Sequence, residues 1–257
     1  MRVGVMADVH GNRVALEAVV EDGRRVGVEE WWVLGDLVAI GVEPVATLEL
    51  LTSLPRVACI SGNTDRYVVT GARPRPAPED VVADPSLLPV LIEVEASFSW
   101  TQGFLAGHGW LDWLAGLPAD LRMRLPEGTR LLGVHASADA DDGRGITPRL
   151  PDPDLASLVT GHSADVVCGG HTHQPTDRRV GGVHALNVGS VSNPLTTDLR
   201  ASYIVIDADE TGYTVDHRRV AYDHGEVLAR IERSGHPASS YIGRFQRGEF
   251  ARYPAAL

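Results

Sequence analysis

Seven side chains of types that bind divalent cations recur in one setting along this chain. Asp8, His10, Asp36, Asn63, His135, His171 and His173 each stand just past a short apolar run. The densest case is Cys168-Gly169-Gly170-His171-Thr172-His173, where two imidazoles one residue apart leave a Gly-Gly turn after the run Asp165–Cys168. Taken singly, each has an ordinary explanation: Asp8 reads as a turn cap, His10 as a loop histidine, and a lone His-x-His is weak evidence for a metal. Together they amount to two carboxylates, one amide oxygen and four imidazoles. One ion rarely takes seven such ligands, whereas two ions about 3.5–4 Å apart, sharing a carboxylate and a water, take them well. The mixed nitrogen and oxygen set suits Mn, Fe, Zn, Ni or Co, with Mn the first choice, and is unlike a thiolate-type structural zinc site.

The elements that must position these groups follow from periodicity. Arg2–Ala7 reads as a strand, followed by a helix over Arg13–Arg25 with Asn12 as N-cap and Val14, Leu16, Val19 and Val20 at helical spacing. Trp31–Leu34 and Arg56–Ile60 read as further strands, with a helix over Val45–Leu54 between them. Three successive βα units thus place Asp, His or Asn at strand carboxyl ends, where ligands bind in open α/β sheets. A hairpin over Arg122–Leu125 and Arg130–Val134 delivers His135, and a helix at Pro153–Thr160 precedes the His171 strand. Beyond Pro175 come a hairpin (Arg178–Val180, Val183–Leu186), strands at Ser202–Asp207 and Tyr213–Arg219, and a helix at Glu226–Arg233.

Between these lies an insertion, about 66–120, expected to cover one side of the site. Its Pro-rich stretch Gly71–Pro78 reads as an extended linker, and Ser97–Leu117 as a helix. Asp139, Asp141 and Asp142 read as a solvated acidic loop, since the closing Glu of a calcium loop is missing. The tail, about 224–257, is expected to end polar and only partly ordered. His162, His184, His217, His224 and His236 lack the strand-end pattern and read as structural or surface groups.

Bulk properties set limits. With 257 residues the chain is long enough for a full core. A net charge of −11 excludes a basic surface that coats nucleic acid, but not a small phosphate-bearing substrate drawn to local cations. Cys59 and Cys168 read as core residues in a reducing compartment and not as a disulfide. The N-terminal apolar stretch is too short for a signal peptide, and no run approaches 18 apolar residues. The expectation is a cytoplasmic protein off the membrane. Its oligomeric state has no mark in the sequence.

The ordered blocks Asp8-x-His10, Gly35-Asp36, Gly62-Asn63-x-Asp65, His135 and Gly170-His171-x-His173 resemble the calcineurin-like metallophosphoesterase superfamily. Asn187-Val188-Gly189-Ser190-Val191 and Trp113-Leu114-x-x-Leu117-Pro118 are similar to blocks of its small prokaryotic phosphodiesterase branch. The resemblance implies an α/β fold of the α+β type, a four-layer α/β/β/α sandwich of two mixed sheets with an inserted helical cap, forming one domain over 1–257. It implies a first ion held by Asp8, His10 and His173, a second held by Asn63, His135 and His171, and Asp36 bridging them. A water or hydroxide between the ions would attack the phosphoester in line. Asp36, Asn63 and Asp65 form the expected catalytic set; Asn12, Arg13 and His108 are candidates for substrate contact.

One departure bears on specificity. Many phosphomonoesterases of the superfamily have His directly after the Asn, where it protonates the leaving oxygen; here that position is Thr64. Branches without this His are associated with phosphodiesters and activated aryl phosphates, so a phosphodiesterase is expected. The alternatives are a phosphomonoesterase or dinucleoside-polyphosphate hydrolase with another acid, such as His108, and more distantly a non-catalytic interaction module on the same fold.

Overall fold

The computed structural model describes residues 1–252. Along the chain run β1 (Arg2–Met6), α1 (Arg13–Val26), β2 (Glu30–Leu34), α2 (Pro44–Ser53), β3 (Val57–Ile60), α3 (Asn63–Thr70), α4 (Pro78–Ala83), α5 (Leu88–Gly107) and α6 (Leu111–Ala115). Then come β4 (Leu121–Arg124), β5 (Arg130–Gly133), α7 (Asp152–Val159), β6 (Val166–Gly169), β7 (Thr176–Val180), β8 (Val183–Asn187), β9 (Ala201–Asp209), β10 (Gly212–Val220), α8 (His224–Arg233) and α9 (Ser239–Gln246). Strands of the first sheet lie in the order β10-β9-β1-β2-β3, those of the second in the order β4-β5-β6-β8-β7. Both sheets are mixed: β1, β2 and β3 run parallel with β9 antiparallel to β1, while β5, β6 and β8 run parallel with antiparallel edges.

Strand residues alternate between two cores because successive side chains point to opposite faces. Val3, Val5, Trp32, Leu34 and Ile60 meet Leu131, Val166, Cys168 and Leu186 between the sheets. Met6, Trp31, Val33, Tyr203 and Val205 face the other way, onto α1, α2, α5 and α9. On the outside of the second sheet, Leu132, Val167 and Ala185 pack against Leu155 and Val159 of α7. Helices, sheet, sheet and helix make the four layers expected. Burial on both faces explains why these strands read as continuous apolar runs. Cys59 and Cys168 are free and buried. Among the described residues no helix is long and apolar enough to cross a membrane.

Several expectations need correction. The helix placed at 97–117 begins nine residues earlier, at Leu88, and stops at Gly107; α6 is a separate turn. The linker is extended only as far as Ala77, because Pro78 occupies the first turn of α4, where its missing N–H costs nothing. The whole segment also buries Val94, Phe98, Leu105 and Leu114 in the same core as α1 and α2. Finally, the tail, expected to end polar and only partly ordered, forms a second helix within its described residues, and Tyr241, Ile242 and Phe245 of α9 are buried. Residues 253–257 of that tail lie outside the described residues.

The acidic loop is exposed at Asp139 and Asp142, as expected, and is also anchored by side-chain bonds. Arg66 holds Asp141 through two bonds of 2.6 and 2.9 Å, and Tyr67 bonds Asp142, which draws this loop onto α3.

His236 illustrates how the tail responds to acid. Its ring lies 4.3 Å from that of Trp100, its Nδ1 accepts from Ala238 N at 3.0 Å, and its Nε2 is buried without a partner. Burial pushes this imidazole down to about 4. Because the unfolded chain takes up the proton first, stability should fall as pH drops from about 6.5 to 4. His236→Phe, which keeps a ring but cannot titrate, should show a flatter denaturation midpoint over that interval. Equal slopes in the two proteins would remove His236 from the account.

Candidate metal centre

Every one of the seven predicted ligands lies at the same edge of the sandwich, in loops that continue the strand pairing. Asp8 N donates to Gly35 O at 3.0 Å and His10 N to Asp36 O at 2.9 Å, which zips the β1 loop to the β2 loop. Gly170 N donates to His135 O at 2.9 Å, and Ser192 N to Asp8 O at 3.0 Å. The two sheets are tied across this edge as well: His171 N donates to Asp8 Oδ2 at 3.0 Å, and His135 Nδ1 to Leu34 O at 2.6 Å.

Close approach explains the glycines. A Cβ on Gly62 would lie 2.2 Å from Asp36 Oδ1, and one on Gly170 2.4 Å from the Ala7 Cβ. The ligand backbones are themselves unusual. Asp8, His10, Asp36, His171 and His173 all have φ between 49° and 66°, the left-handed region. That region costs a non-glycine residue about 1 kcal/mol or more, and Asp, His and Asn tolerate it best. Strain is thus concentrated where the ligands are.

The hydrogen bonds show which imidazole nitrogens are free. Nδ1 of His10 donates to Ala39 O at 2.9 Å, that of His135 to Leu34 O, and that of His173 to Asn193 O at 2.7 Å. Each carbonyl fixes the proton on Nδ1 and leaves a lone pair on Nε2. His171 is the reverse: Nε2 donates to Gly143 O at 2.9 Å and Nδ1 faces inward. With the imidazoles neutral, the inward atoms then face one another with no hydrogen to share. His10 Nε2 is 3.3 Å from His173 Nε2, and Asn63 Oδ1 is 3.0 Å from both His135 Nε2 and His171 Nδ1. Asp8 Oδ1 lies 3.3 Å from His173 Nε2. The Asp36 carboxylate spans the two groups, Oδ1 3.3 Å from His135 Nε2 and Oδ2 3.8 Å from His10 Nε2. Acceptors crowded in this way are the donor chemistry of a cation site, with the outer-nitrogen bonds that metal-ligating histidines make.

Without a cation, protons take its place. Burial opposes charge on His135, but the Asp36 carboxylate outweighs it and lifts the imidazole to about 10. Asp8 likewise raises His173 against the cost of burial. Burial pushes His10 down. Cations binding here must displace protons, so affinity falls in acid.

A sequence profile of the calcineurin-like phosphoesterase superfamily domain matches residues 1–211. The chain belongs to this superfamily. Metal binding and phosphoester hydrolysis are therefore its class of activity. An uncharacterized protein of Methanocaldococcus jannaschii is 25% identical, over 91% of this chain and 93% of its own length. The crystal structure of a metallophosphoesterase from Sphaerobacter thermophilus is similar at a TM-score of 0.67 and 26% identity, covering 96% of this chain and 99% of that one. A hypothetical protein from Pyrococcus horikoshii OT3 shares the fold at a TM-score of 0.78 and 20% identity, over 95% and 97% of the two chains.

The other expected site residues divide. Asp65 is fully buried; its Oδ1 accepts from Leu37 N at 2.9 Å and its Oδ2 from Gly62 N at 3.0 Å. With both oxygens used, it holds the Asp36 and Asn63 loops together. Burial and the Asp36 charge raise its carboxyl to about 7. Thr64 donates its amide to Asp36 Oδ1 at 2.9 Å, while its hydroxyl is buried without a partner. Asn12 caps α1 through Ala15 N and donates to Ser192 Oγ at 3.0 Å, so both ends of its amide have partners within the fold. Arg13 pairs with Glu17 one turn along. His108 bonds and stacks on Phe104 of its own helix; no hydrogen bond or ring contact joins it to the seven ligands. It lines a surface depression of about 280 Å³ with Val42, Val45 and Glu49.

Sequence reasoning missed the supports of the site. Asn187 Nδ2 bonds Gly170 O at 2.6 Å and Ile146 O and Thr172 Oγ1 at 3.0 Å, which braces the His171 loop. The motif around Asn187 carries a family resemblance but no sign of that role. Asn193 carried no signal at all.

Proposed function

We propose that this protein is a dinuclear metal-dependent phosphodiesterase. One observation carries the reading: four imidazoles with their outer nitrogens committed turn their remaining lone pairs toward two carboxylates and an amide oxygen. Asp8, His10 and His173 would hold one ion, and Asn63, His135 and His171 the other. Asp36, with one oxygen toward His135 and one toward His10, suits the bridging place. Such ions, when bound, polarise phosphoryl oxygens and lower the pKa of a water that attacks in line. The chain itself supplies positioning. Asp65 fixes the distance between the Asp36 and Asn63 loops, and the N-terminus of α3, starting at Asn63, favours an anion at this edge.

Proton donation to the leaving group is the weak point. Thr64, which stands where monoesterases of the superfamily have His, has no proton to give near neutral pH, and general-acid help is worth about 10²–10⁴-fold. Esters with good leaving groups should therefore be the better substrates, and diesters are favoured because branches without this His are associated with them. With Mn²⁺ supplied, the protein should hydrolyse bis-p-nitrophenyl phosphate faster than p-nitrophenyl phosphate. The opposite preference would replace this reading with a phosphomonoesterase.

A further inference from the structure

Behind His173 lies a buried polar chain that reaches α9. The Asn193 carbonyl that accepts the His173 Nδ1–H belongs to a left-handed residue, φ 56°, held on three sides. Its side-chain Nδ2 donates to Ile40 O at 3.2 Å, one residue past the Ala39 carbonyl that orients His10. Its Oδ1 accepts from Gln246 Nε2 at 2.7 Å and from Ser192 Oγ at 3.1 Å. Gln246 Nε2 also donates to Ser192 Oγ at 3.1 Å, and Ser192 N holds the backbone of Asp8. Tyr222 closes the chain, its hydroxyl donating to Gln246 Oε1 at 3.1 Å. Gln246 is 3% exposed and Asn193 1%, so water cannot replace these bonds.

Gln246 thus touches one loop, 192–193, that supports all three members of the group Asp8, His10 and His173. It is the last residue of α9, beyond the 1–211 span matched by the superfamily. We infer that Gln246 is a positioning residue for one metal: through Asn193 and Ser192 it sets the orientation of His173, His10 and Asp8, so that α9 is part of the metal centre. A carboxamide suits the task because it donates to Asn193 and Ser192 and accepts from Tyr222 in one plane, without bringing charge to a site that must take cations.

The inference rests on the metal-binding reading, and the test separates the two. Mn²⁺ binding to the full-length metal-free protein is followed by calorimetric titration, together with the thermal midpoint before metal is added. Gln246→Met keeps the volume and removes the polar ends. Loss of an outer partner of a metal ligand typically weakens affinity 10–100-fold, so one Mn²⁺ should bind about tenfold more weakly. The other should be unchanged, while the metal-free midpoint falls modestly because the Tyr222 hydroxyl and the 192–193 loop lose buried partners. A Gln246→Met isotherm that superimposes on that of the unaltered protein overturns the inference, as does a lowered midpoint with unchanged Mn²⁺ affinity. If Gln246→Met does not fold, Tyr222→Phe frees the far end of the same amide. A smaller weakening at the same ion supports the inference, and an unchanged isotherm overturns it. No Mn²⁺ binding by the unaltered protein would instead overturn the metal centre itself.

Discussion

Asp36→Asn should reduce hydrolysis of bis-p-nitrophenyl phosphate by at least about 10²–10³-fold while leaving the fold intact. The amide keeps the volume and still accepts the Thr64 amide proton that Asp36 Oδ1 accepts now. What it loses is a charged second oxygen, so it can no longer serve both the His135 and His10 sides. Transition-state stabilisation by a paired-metal site is worth several kcal/mol, and each 1.36 kcal/mol is a factor of ten in rate. Activity with Mn²⁺ and the thermal midpoint should be measured together. A variant within tenfold of the unaltered protein would show that Asp36 does not bridge.

The largest single effect on stability is expected far from the metals, at Asp22. This buried carboxylate of α1 accepts from Tyr203 at 2.7 Å and Arg218 Nε at 2.6 Å and pairs with Arg25, tying α1 to β9 and β10. Asp22→Ala would strand the Tyr203 hydroxyl in the core and leave Arg218 half-paired. Breaking a buried pair costs about 3–5 kcal/mol; Arg218 and Arg25 keep some water contact, so the low end, about 3 kcal/mol, is expected. For a chain of this size that lowers the thermal midpoint by roughly 6–12 °C. Burial opposes ionisation of Asp22, but Arg218 and Tyr203 outweigh it and hold the carboxyl below its usual value. The same stabilisation is therefore complete above about pH 4 and is lost as pH falls further. A midpoint shift under 2 °C would show the cluster to be incidental.

How legible was this in the sequence? The convergence of the seven candidate ligands was, because each is a polar residue of a turn-tolerant type standing at the end of an apolar run, and the two-sided burial of the strands makes those runs unbroken. Helix α5 was misplaced because its apolar residues are spread around the helix, so periodicity gives no phase, and because Pro78 reads as linker when it opens a helical turn, as Pro85 and Pro89 also do. The tail was misjudged on composition. Tyr241, Ile242 and Phe245 carry a helical apolar face, but Ser239, Ser240, Arg244 and Arg247 dilute it. Gln246 and Asn193 lay beyond reach, since neither residue type signals a partner 53 positions away. The same is true of Arg66 and Asp141, 75 positions apart.

The left-handed backbone at Asp8, His10, Asp36, His171 and His173 limits how this centre could be rebuilt for another ion. At those five positions a Cys or Glu installed for its affinity would pay a conformational penalty that Asp, Asn and His largely escape, whatever the incoming cation prefers. Asn63 begins α3, and Asn63 and His135 are the two ligands outside that backbone class. Attempts to alter metal preference have their freest choice of side chain there, on the half of the centre nearest the missing proton donor.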